Sequence, residues 1–277
     1  MFSILMMASA FANPCEEYNR PQLLLRLRAP EIDESSGLAA SRIEDGVFYT
    51  HNDSGDSARL FRFSTDGGRV SSFELAGVKA RDWEDMASGP CPDEGDCLYV
   101  GDIGDNLRQH DSIRIWAVRE QRSGLELNPV ASWRVRYPDG PKDAEVLLVH
   151  PETRRLYVVT KESGPPGVYR LPKAPGEGEM VLVARLTEET VGRSLPKLTG
   201  GDFSRDGSRV ILRGYLSAWE WEVSLADPES HWRQRPSRRV PIRLERQGEA
   251  LTLDLTGRVF TSSEGSPMPL TRIGCRD

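Results

Sequence analysis

Five polar residues, each at the start of an apolar stretch, recur through the sequence at intervals of roughly 45–60 residues. They are Ser36, Glu84, Glu145, Asp202 and Glu249. If the fold brings them together, four carboxylates and a hydroxyl share a small volume, and like charges so close cannot all stay ionised without a counter-ion. An all-oxygen set without histidine favours Ca²⁺ over zinc or copper. The five residues are therefore predicted to bind calcium, the alternative being a water-filled channel that solvates them.

A second polar set follows the next apolar run of each repeat. It consists of Asn52 and Asp53, Asp102 with Asp105 and Asn106, Lys161 with Glu162, Arg213, and Glu264. Polar residues of both signs beside glycines are typical of a ligand-binding mouth. Ordinary turn chemistry is an equally good explanation for the Asn-Asp and Gly-Asp-Asn segments.

The second set also suggests roles in catalysis. Lys161 and Arg213 would offset charge that develops on a phosphoryl group, and Asp53, Asp102 or Glu264 would act as the base. The remaining members are predicted to contact a ligand: Asn52, Asp105, Asn106 and Glu162.

Each repeat contains about four short segments in which apolar and polar residues alternate, the period of a half-buried strand. The last repeat has three such segments, and residues 22–28 near the N-terminus supply the missing one. Repeats of this length built from strands are typical of propellers. We therefore predict an all-β, five-bladed β-propeller of four-stranded blades, a single domain over residues 13–277, closed by the N-terminal strand joining the last blade.

Four cysteines and the N-terminal residues bear on the compartment. Cys91 and Cys97 bracket a short polar loop, whereas Cys15 and Cys275 lie at the two ends that a closed ring would join. Two disulfides are favoured over four free thiols. Residues 1–12 are apolar and end in Ala-Phe-Ala, which predicts a signal peptide, although no Lys or Arg precedes the run and a buried strand is the alternative. A secreted or periplasmic protein is expected.

The net charge of −6 argues against nucleic acid and anionic membrane surfaces as partners. No apolar run is long enough to span a bilayer. The expected partner at the channel mouth is a small anionic or glycan ligand, or a protein, and the chain is expected to be a monomer.

The sequence resembles a family of exported bacterial β-propellers of unassigned activity. The resemblance covers most of the chain and rests on residues 35–39, 52–56, 82–87, 101–106, 143–145 and 247–250.

The order of residues at the blade starts also resembles the five-bladed calcium-dependent nucleotidases, the apyrases. This resemblance implies that Ser36, Glu84, Glu145 and Glu249 hold calcium. Asp202 departs from it, because a serine is expected there. The arginine pair expected after the third blade's second strand is represented only by Lys161, so the resemblance implies metal binding more than diphosphate hydrolysis.

Three functions remain open from the sequence. One is a calcium-dependent hydrolase of phosphate esters or anhydrides. Another is a non-catalytic module that binds a protein or glycan and uses calcium as a structural ion. The third is a glycoside-active enzyme with separated carboxylates.

Overall fold

The computed structural model describes residues 15–187, 191 and 197–276, so the predicted signal segment lies outside the described residues. The described strands form five sheets arranged as the blades of a propeller. The innermost strands of the five sheets contact one another in a closed ring around a central channel. The predicted five-bladed fold is confirmed.

From the channel outward, the blades contain the following strands. Blade one has β2 (Ser35–Ala40), β3 (Val47–Asn52), β4 (Arg59–Ser64), β5 (Ser71–Leu75) and β9 (Glu126–Leu127). Blade two has β6 (Trp83–Pro90), β7 (Asp96–Asp102), β8 (Ile113–Arg119), β10 (Pro129–Arg136) and β14 (Gly176–Glu179). Blade three has β11 (Ala144–Val149), β12 (Leu156–Thr160), β13 (Gly167–Arg170) and β15 (Val181–Arg185). Blade four has β16 (Leu198–Phe203), β17 (Arg209–Gly214), β18 (Ala218–Glu222) and β19 (Arg238–Val240), with the 3-10 helix Ser230–Arg233 between the last two. Blade five has β20 (Leu251–Leu253), β21 (Val259–Ser262), β22 (Met268–Ile273) and β1 (Gln22–Leu27).

Burial along the strands explains the sequence pattern. Every residue of β2, β11 and β16 is buried, since an inner strand is covered on both faces. The outer strand β10 alternates between exposed and buried positions, because only one of its faces packs on a neighbouring blade. Apolar side chains from adjacent blades form the core, as where Tyr99 and Trp133 of blade two pack with Leu147 and Tyr169 of blade three.

The ring closes as predicted. β1 pairs antiparallel with β22, with Leu27 opposite Met268 and Gln22 opposite Arg272. A disulfide joins Cys15 to Cys275 beside this closure, and a second joins Cys91 to Cys97. Both predicted disulfides are confirmed.

Blades one and two differ from the predicted four strands, because each gains a fifth from the following blade. β9 pairs parallel with β5, and β14 pairs parallel with β10. Both added strands come from loops that cross to the outer edge of the preceding blade. They cover backbone groups that an edge strand would otherwise leave unpaired.

Candidate metal-binding mouth of the channel

A bulge near the start of the inner strands positions the candidate ligands. The pairing register shifts between Trp83 and Asp85 in β6, and between Ala144 and Val146 in β11. The extra residue in each case is a glutamate, Glu84 or Glu145. A bulged residue leaves the ladder and can redirect its side chain, so one local irregularity, repeated in successive blades, turns two carboxylates toward one site.

The two glutamates belong to a larger acidic cluster. Carboxylate oxygens of Asp53, Asp82 and Glu84 lie within 4.8 Å of one another, and so do those of Glu84, Asp143 and Glu145. Glu84 is common to both groups. It is buried together with Asp143 and Glu145, whereas Asp53 and Asp82 are half-buried. The cluster therefore has a closed inner side and an open side toward solvent.

Burial and repulsion favour protonation of two members of this cluster, Glu84 and Asp82. Burial, followed by the charges of Glu145 and Asp53, raises the pKa of Glu84 well above its usual range. Burial and the nearby Asp53 and Asp143 raise the pKa of Asp82 to about 6. A bound cation would remove the repulsion and return these groups to their charged form.

One side of the cluster has a counter-charge from the chain itself. The Lys161 ammonium donates a hydrogen bond to Glu145 Oε1 and lies over the ring of Tyr215. Burial opposes the charge on Lys161, but the neighbouring Glu145 raises the pKa of the ammonium above its usual value. Glu84 and Asp82 make no ion pair with a basic side chain in the described part of the chain, so Lys161 compensates only one edge of the cluster.

Glu249 lies beside this edge. It is 6 % exposed, and its Oε2 atom is buried without a hydrogen-bond partner among the described residues. Burial raises the pKa of Glu249, while Lys161 and Arg213 oppose the rise. An unpartnered buried carboxylate oxygen is costly unless a cation or donor reaches it.

A glycine permits the close approach of two cluster carboxylates. A Cβ atom placed on Gly104 would lie 2.4 Å from Glu84 Oε1 and 2.5 Å from Asp82 Oδ2. Both distances are shorter than van der Waals contact, so any larger residue at position 104 must displace the carboxylates.

Gly104→Ala is therefore expected to weaken calcium binding by about tenfold or more, since it moves two charged ligands at once. Isothermal titration with Ca²⁺ measures the change. Gly164→Ala is the matched control, because a Cβ there meets nothing within 4 Å. Equal affinity in the two variants would contradict this placement of the cluster.

The prediction that Asp202 stands with the other blade starts is wrong. β16 begins at Leu198, and its bulge falls at Thr199, so Thr199 occupies the position equivalent to Glu84. Asp202 lies at the opposite end of the channel, lining a small cavity with Ala40 and Leu253. There its Oδ2 accepts hydrogen bonds from the Leu253 amide and the Thr252 hydroxyl, which link blades four and five.

Ser36 and Thr199 hold the blades together at the mouth. The Ser36 hydroxyl donates to the Glu84 carbonyl at 2.6 Å, and the Thr199 hydroxyl donates to the Gly248 carbonyl at 3.0 Å. Each hydroxyl thus contacts the following blade. The oxygen of Ser36 keeps lone pairs with which it could also coordinate a cation.

Arg213 does not reach the mouth as predicted. Its side chain is fully buried, lies 3.9 Å from Glu245 Oε2, and donates to the carbonyls of Ala250 and Ser262. A Cβ on Gly248 would lie 2.0 Å from its Nη2 atom, so this glycine makes room for the guanidinium. These contacts give Arg213 a structural role where blade four meets blade five.

The other predicted ligand contacts divide into loop-forming and exposed residues. Both side-chain ends of Asn52 bond within its own loop, to the Glu34 amide, the Glu31 carbonyl and Asp56. Asp105 accepts hydrogen bonds from the amides of Gln109 and His110. Asn52 and Asp105 therefore stabilise turns, in agreement with the turn-forming alternative. Asn106 is exposed.

The remaining predicted residues lie around the cluster. Glu162 pairs with Lys142 and Arg185 and accepts a hydrogen bond from the Thr160 hydroxyl. Asp102 is buried beside Arg81 and accepts a hydrogen bond from the Asp82 amide. Burial, followed by the charges of Glu249 and Asp53, raises the pKa of Glu264, which places this half-buried carboxylate close to the mouth.

Two cluster members, Asp82 and Asp143, were absent from the sequence prediction. Each precedes a predicted ligand by two residues, in the segments Asp82-Trp-Glu84 and Asp143-Ala-Glu145. The repeated Asp-x-Glu spacing was therefore the signal that could have identified them.

Comparisons with known proteins agree on the fold. No protein-family model and no curated protein matches the chain. Among solved structures, it is similar to the PQQ-bound aldose sugar dehydrogenase of Streptomyces coelicolor, with 10% identity, a TM-score of 0.52, and coverage of 93% of this chain and 99% of the other. It is also similar to an oxidoreductase assigned as a glucose dehydrogenase from Thermus thermophilus, with 10% identity, a TM-score of 0.50, and coverage of 93% and 100%. At this identity the likeness concerns the propeller fold alone.

No helix within the described residues has the length and apolar character needed to cross a bilayer.

Proposed function

We propose that this chain is an exported β-propeller that binds one Ca²⁺ at the mouth of its channel and uses that mouth to bind a ligand. The proposal rests on the two acidic groups that have Glu84 in common. No basic side chain among the described residues forms an ion pair with Glu84. Hard oxygen donors of this kind suit calcium, which accepts six to eight oxygen ligands in flexible geometry.

The donors divide by burial. Glu84, Asp143 and Glu145 would hold the ion from within the channel, and Asp53 and Asp82 from the solvent side. Calcium would supply positive charge that polarises a bound ligand and keeps the carboxylates ionised.

Lys161 would compete with a bound cation for Glu145. The Lys161 ammonium donates a hydrogen bond to Glu145 Oε1, so a cation that binds Glu145 must displace the ammonium or share the carboxylate with it. Tyr215 lies on the other side of the ammonium. Lys161 released from Glu145 would remain near the mouth, where it could pair with an anionic group of the ligand.

The protein is expected to melt at a higher temperature with Ca²⁺ than with a chelator. Binding stabilises by about 2.7 kcal/mol at a hundredfold excess over Kd, which is several degrees for a domain of this size. Mg²⁺ should have a smaller effect, because it prefers a tight octahedron and retains its waters. Differential scanning calorimetry measures the shifts, and a melting curve unchanged by either chelator or calcium would refute the metal site.

Two features support export. The chain has two disulfides, Cys15–Cys275 and Cys91–Cys97, and structural disulfides persist mainly in oxidising compartments. The apolar N-terminal run with its Ala-Phe-Ala sequence agrees with this compartment.

A second candidate function is calcium-dependent hydrolysis of phosphate esters or anhydrides. The half-buried positions of Asp53 and Asp82 favour it, since an ion held partly by exposed ligands can accept a substrate oxygen. Asp53 or Glu264 would act as the base, and Lys161 would offset charge on the phosphoryl oxygens. Release of phosphate from nucleoside diphosphates and aryl phosphates, with calcium and with chelator, tests this activity. Calcium binding without turnover of either substrate would leave the non-catalytic ligand-binding propeller.

A further inference from the structure

A cationic groove runs along blade two, beginning next to the acidic mouth. Two adjoining cavities of about 420 Å³ and about 220 Å³ share Asp111, Ser112 and Arg134 in their walls. Five basic side chains line them, in a chain whose net charge is −6. They are Lys79, Arg81, Arg114, Arg134 and Arg136.

The positions of two of these arginines are expected to lower the stability of the fold. Arg114 of β8 lies directly opposite Arg134 of β10, and both are exposed on the same blade face. Like charges opposite each other in neighbouring strands are destabilising. The Arg114 side chain makes no hydrogen bond or ion pair with any described residue. Arg134 Nε donates to the Ser112 hydroxyl at 3.2 Å, and Arg134 Nη1 makes an exposed contact of 3.4 Å with Glu177. Such an arrangement is accounted for if an anion bridges the two guanidinium groups.

The inner end of the groove adjoins the proposed calcium site. Arg81 contacts Asp102 at 3.2 Å, and Asp102 in turn accepts a hydrogen bond from the amide of Asp82, a cluster member. The contact with Asp102 is made by Arg81 Nε, and Arg81 Nη1 donates to the Ser112 carbonyl. Arg81 Nη2 is buried and lacks a hydrogen-bond partner among the described residues. Donors for an anion therefore extend from the mouth outward across three strands, a span of about 10 Å.

The residue types that line the groove limit the chemical class of ligand that it can bind. Every lining residue is polar or charged, apart from Gly178. No Phe, Tyr, Trp or aliphatic side chain lines these walls to stack on a nucleobase or a sugar ring, and His110 supplies the single aromatic ring there. Guanidinium groups match phosphate oxygens through paired hydrogen bonds.

We propose that this groove binds a linear chain of phosphate groups, as in inorganic polyphosphate, with its inner end beside the channel mouth. The proposal goes beyond the calcium site and does not depend on it, since the contacts come from side chains outside the acidic cluster.

Binding of fluorescently labelled inorganic polyphosphate, followed by anisotropy at about 0.1 M salt, where the Debye length is about 10 Å, tests the groove. Arg114→Gln/Arg134→Gln is expected to weaken binding by about tenfold or more, since hydrogen bonds to charged groups are the strong ones. The slope of log K against log salt should fall by about one to two. The double variant should melt no lower than the wild type, because it removes the opposed charges.

The matched control is Arg69→Gln/Arg233→Gln. It makes the same change in net charge at two exposed arginines outside the groove, and it should change affinity by less than about twofold, because exposed charges beyond a Debye length are screened. Equal losses in both double variants, or no binding by the wild type, would overturn the proposal. Competition by dextran sulfate or polygalacturonate as effective as that by unlabelled polyphosphate would overturn the assignment to phosphate chains.

Repeating the titration in chelator and in calcium separates the two proposals. Arginine-dependent binding in both conditions supports the groove even if calcium leaves the melting curve unchanged. Binding that requires calcium and is unaffected by the arginine substitutions would overturn the groove and leave the calcium site standing.

Discussion

Glu84→Gln is expected to stabilise the calcium-free protein and to remove most of its response to calcium. Glu84 is 4 % exposed and faces the charges of Glu145 and Asp53, so neutralising it relieves both desolvation and repulsion. The gain in the free energy of unfolding should be about 1–3 kcal/mol. The same change removes the ligand common to both acidic groups. Chemical denaturation in chelator and in calcium measures the two opposite effects.

Asp202→Asn is the matched control, since Asp202 is also an inner-strand carboxylate that is 4 % exposed. It lies at the other end of the channel and bonds to blade five. Its substitution loses charge-assisted bonds but also relieves the burial that raises the pKa of Asp202 to about 6. These effects oppose each other, so the free energy of unfolding should change by less than about 1 kcal/mol, and the response to calcium should stay intact. Equal loss of the calcium response in the two variants would contradict a site centred on Glu84.

The pH dependence of the chelated protein follows from the same group. The pKa of Glu84 is raised in the folded state, so between its unfolded value and that raised value the folded state binds more protons than the unfolded state. Stability therefore falls as the pH rises, from about pH 5 toward pH 8. Glu84→Gln should make this decline shallower, and calcium should do the same in the wild type.

Loss of the Cys15–Cys275 disulfide is expected to be the most destabilising cysteine change. The residues it joins are 260 positions apart, whereas Cys91 and Cys97 are separated by 6. In the loop-entropy model the long bridge contributes about 5.5 kcal/mol and the short one about 2 kcal/mol. The long bridge also lies beside the β1–β22 pairing that closes the ring, so its loss exposes the closure to fraying.

The double variants Cys15→Ala/Cys275→Ala and Cys91→Ala/Cys97→Ala allow this comparison. Their free energies of unfolding in urea, measured against the oxidised wild type, should differ in the stated order. A larger loss of stability in Cys91→Ala/Cys97→Ala than in Cys15→Ala/Cys275→Ala would contradict this order. It would show that the pairing of β1 with β22 closes the ring without help from the disulfide.

The fold was predictable because apolar and polar residues alternate locally in the segments that form strands. Each blade carries its own strand pattern, and the fifth blade lacks one strand that residues 22–28 could supply. The added strands β9 and β14 were not predictable, since they are short segments within loops whose pairing depends on the position of the neighbouring blade.

The site was predictable only in part, because bulges shift the register without a clear mark in the sequence. Glu84 and Glu145 coincide with bulges, and both join the cluster. In blade four the bulge falls at Thr199, three residues before the acidic residue that the pattern suggested. The opposition of Arg114 and Arg134 depends on cross-strand register, which a single sequence does not display.

A crystal structure of the calcium-loaded protein, with anomalous scattering data, would locate the ion. We expect one anomalous peak among the carboxylates of Glu84, Asp143 and Glu145, with oxygen distances of about 2.3–2.6 Å and with Lys161 moved away from Glu145. An anomalous peak elsewhere, or an intact Lys161–Glu145 pair with no peak in the cluster, would contradict the proposed site.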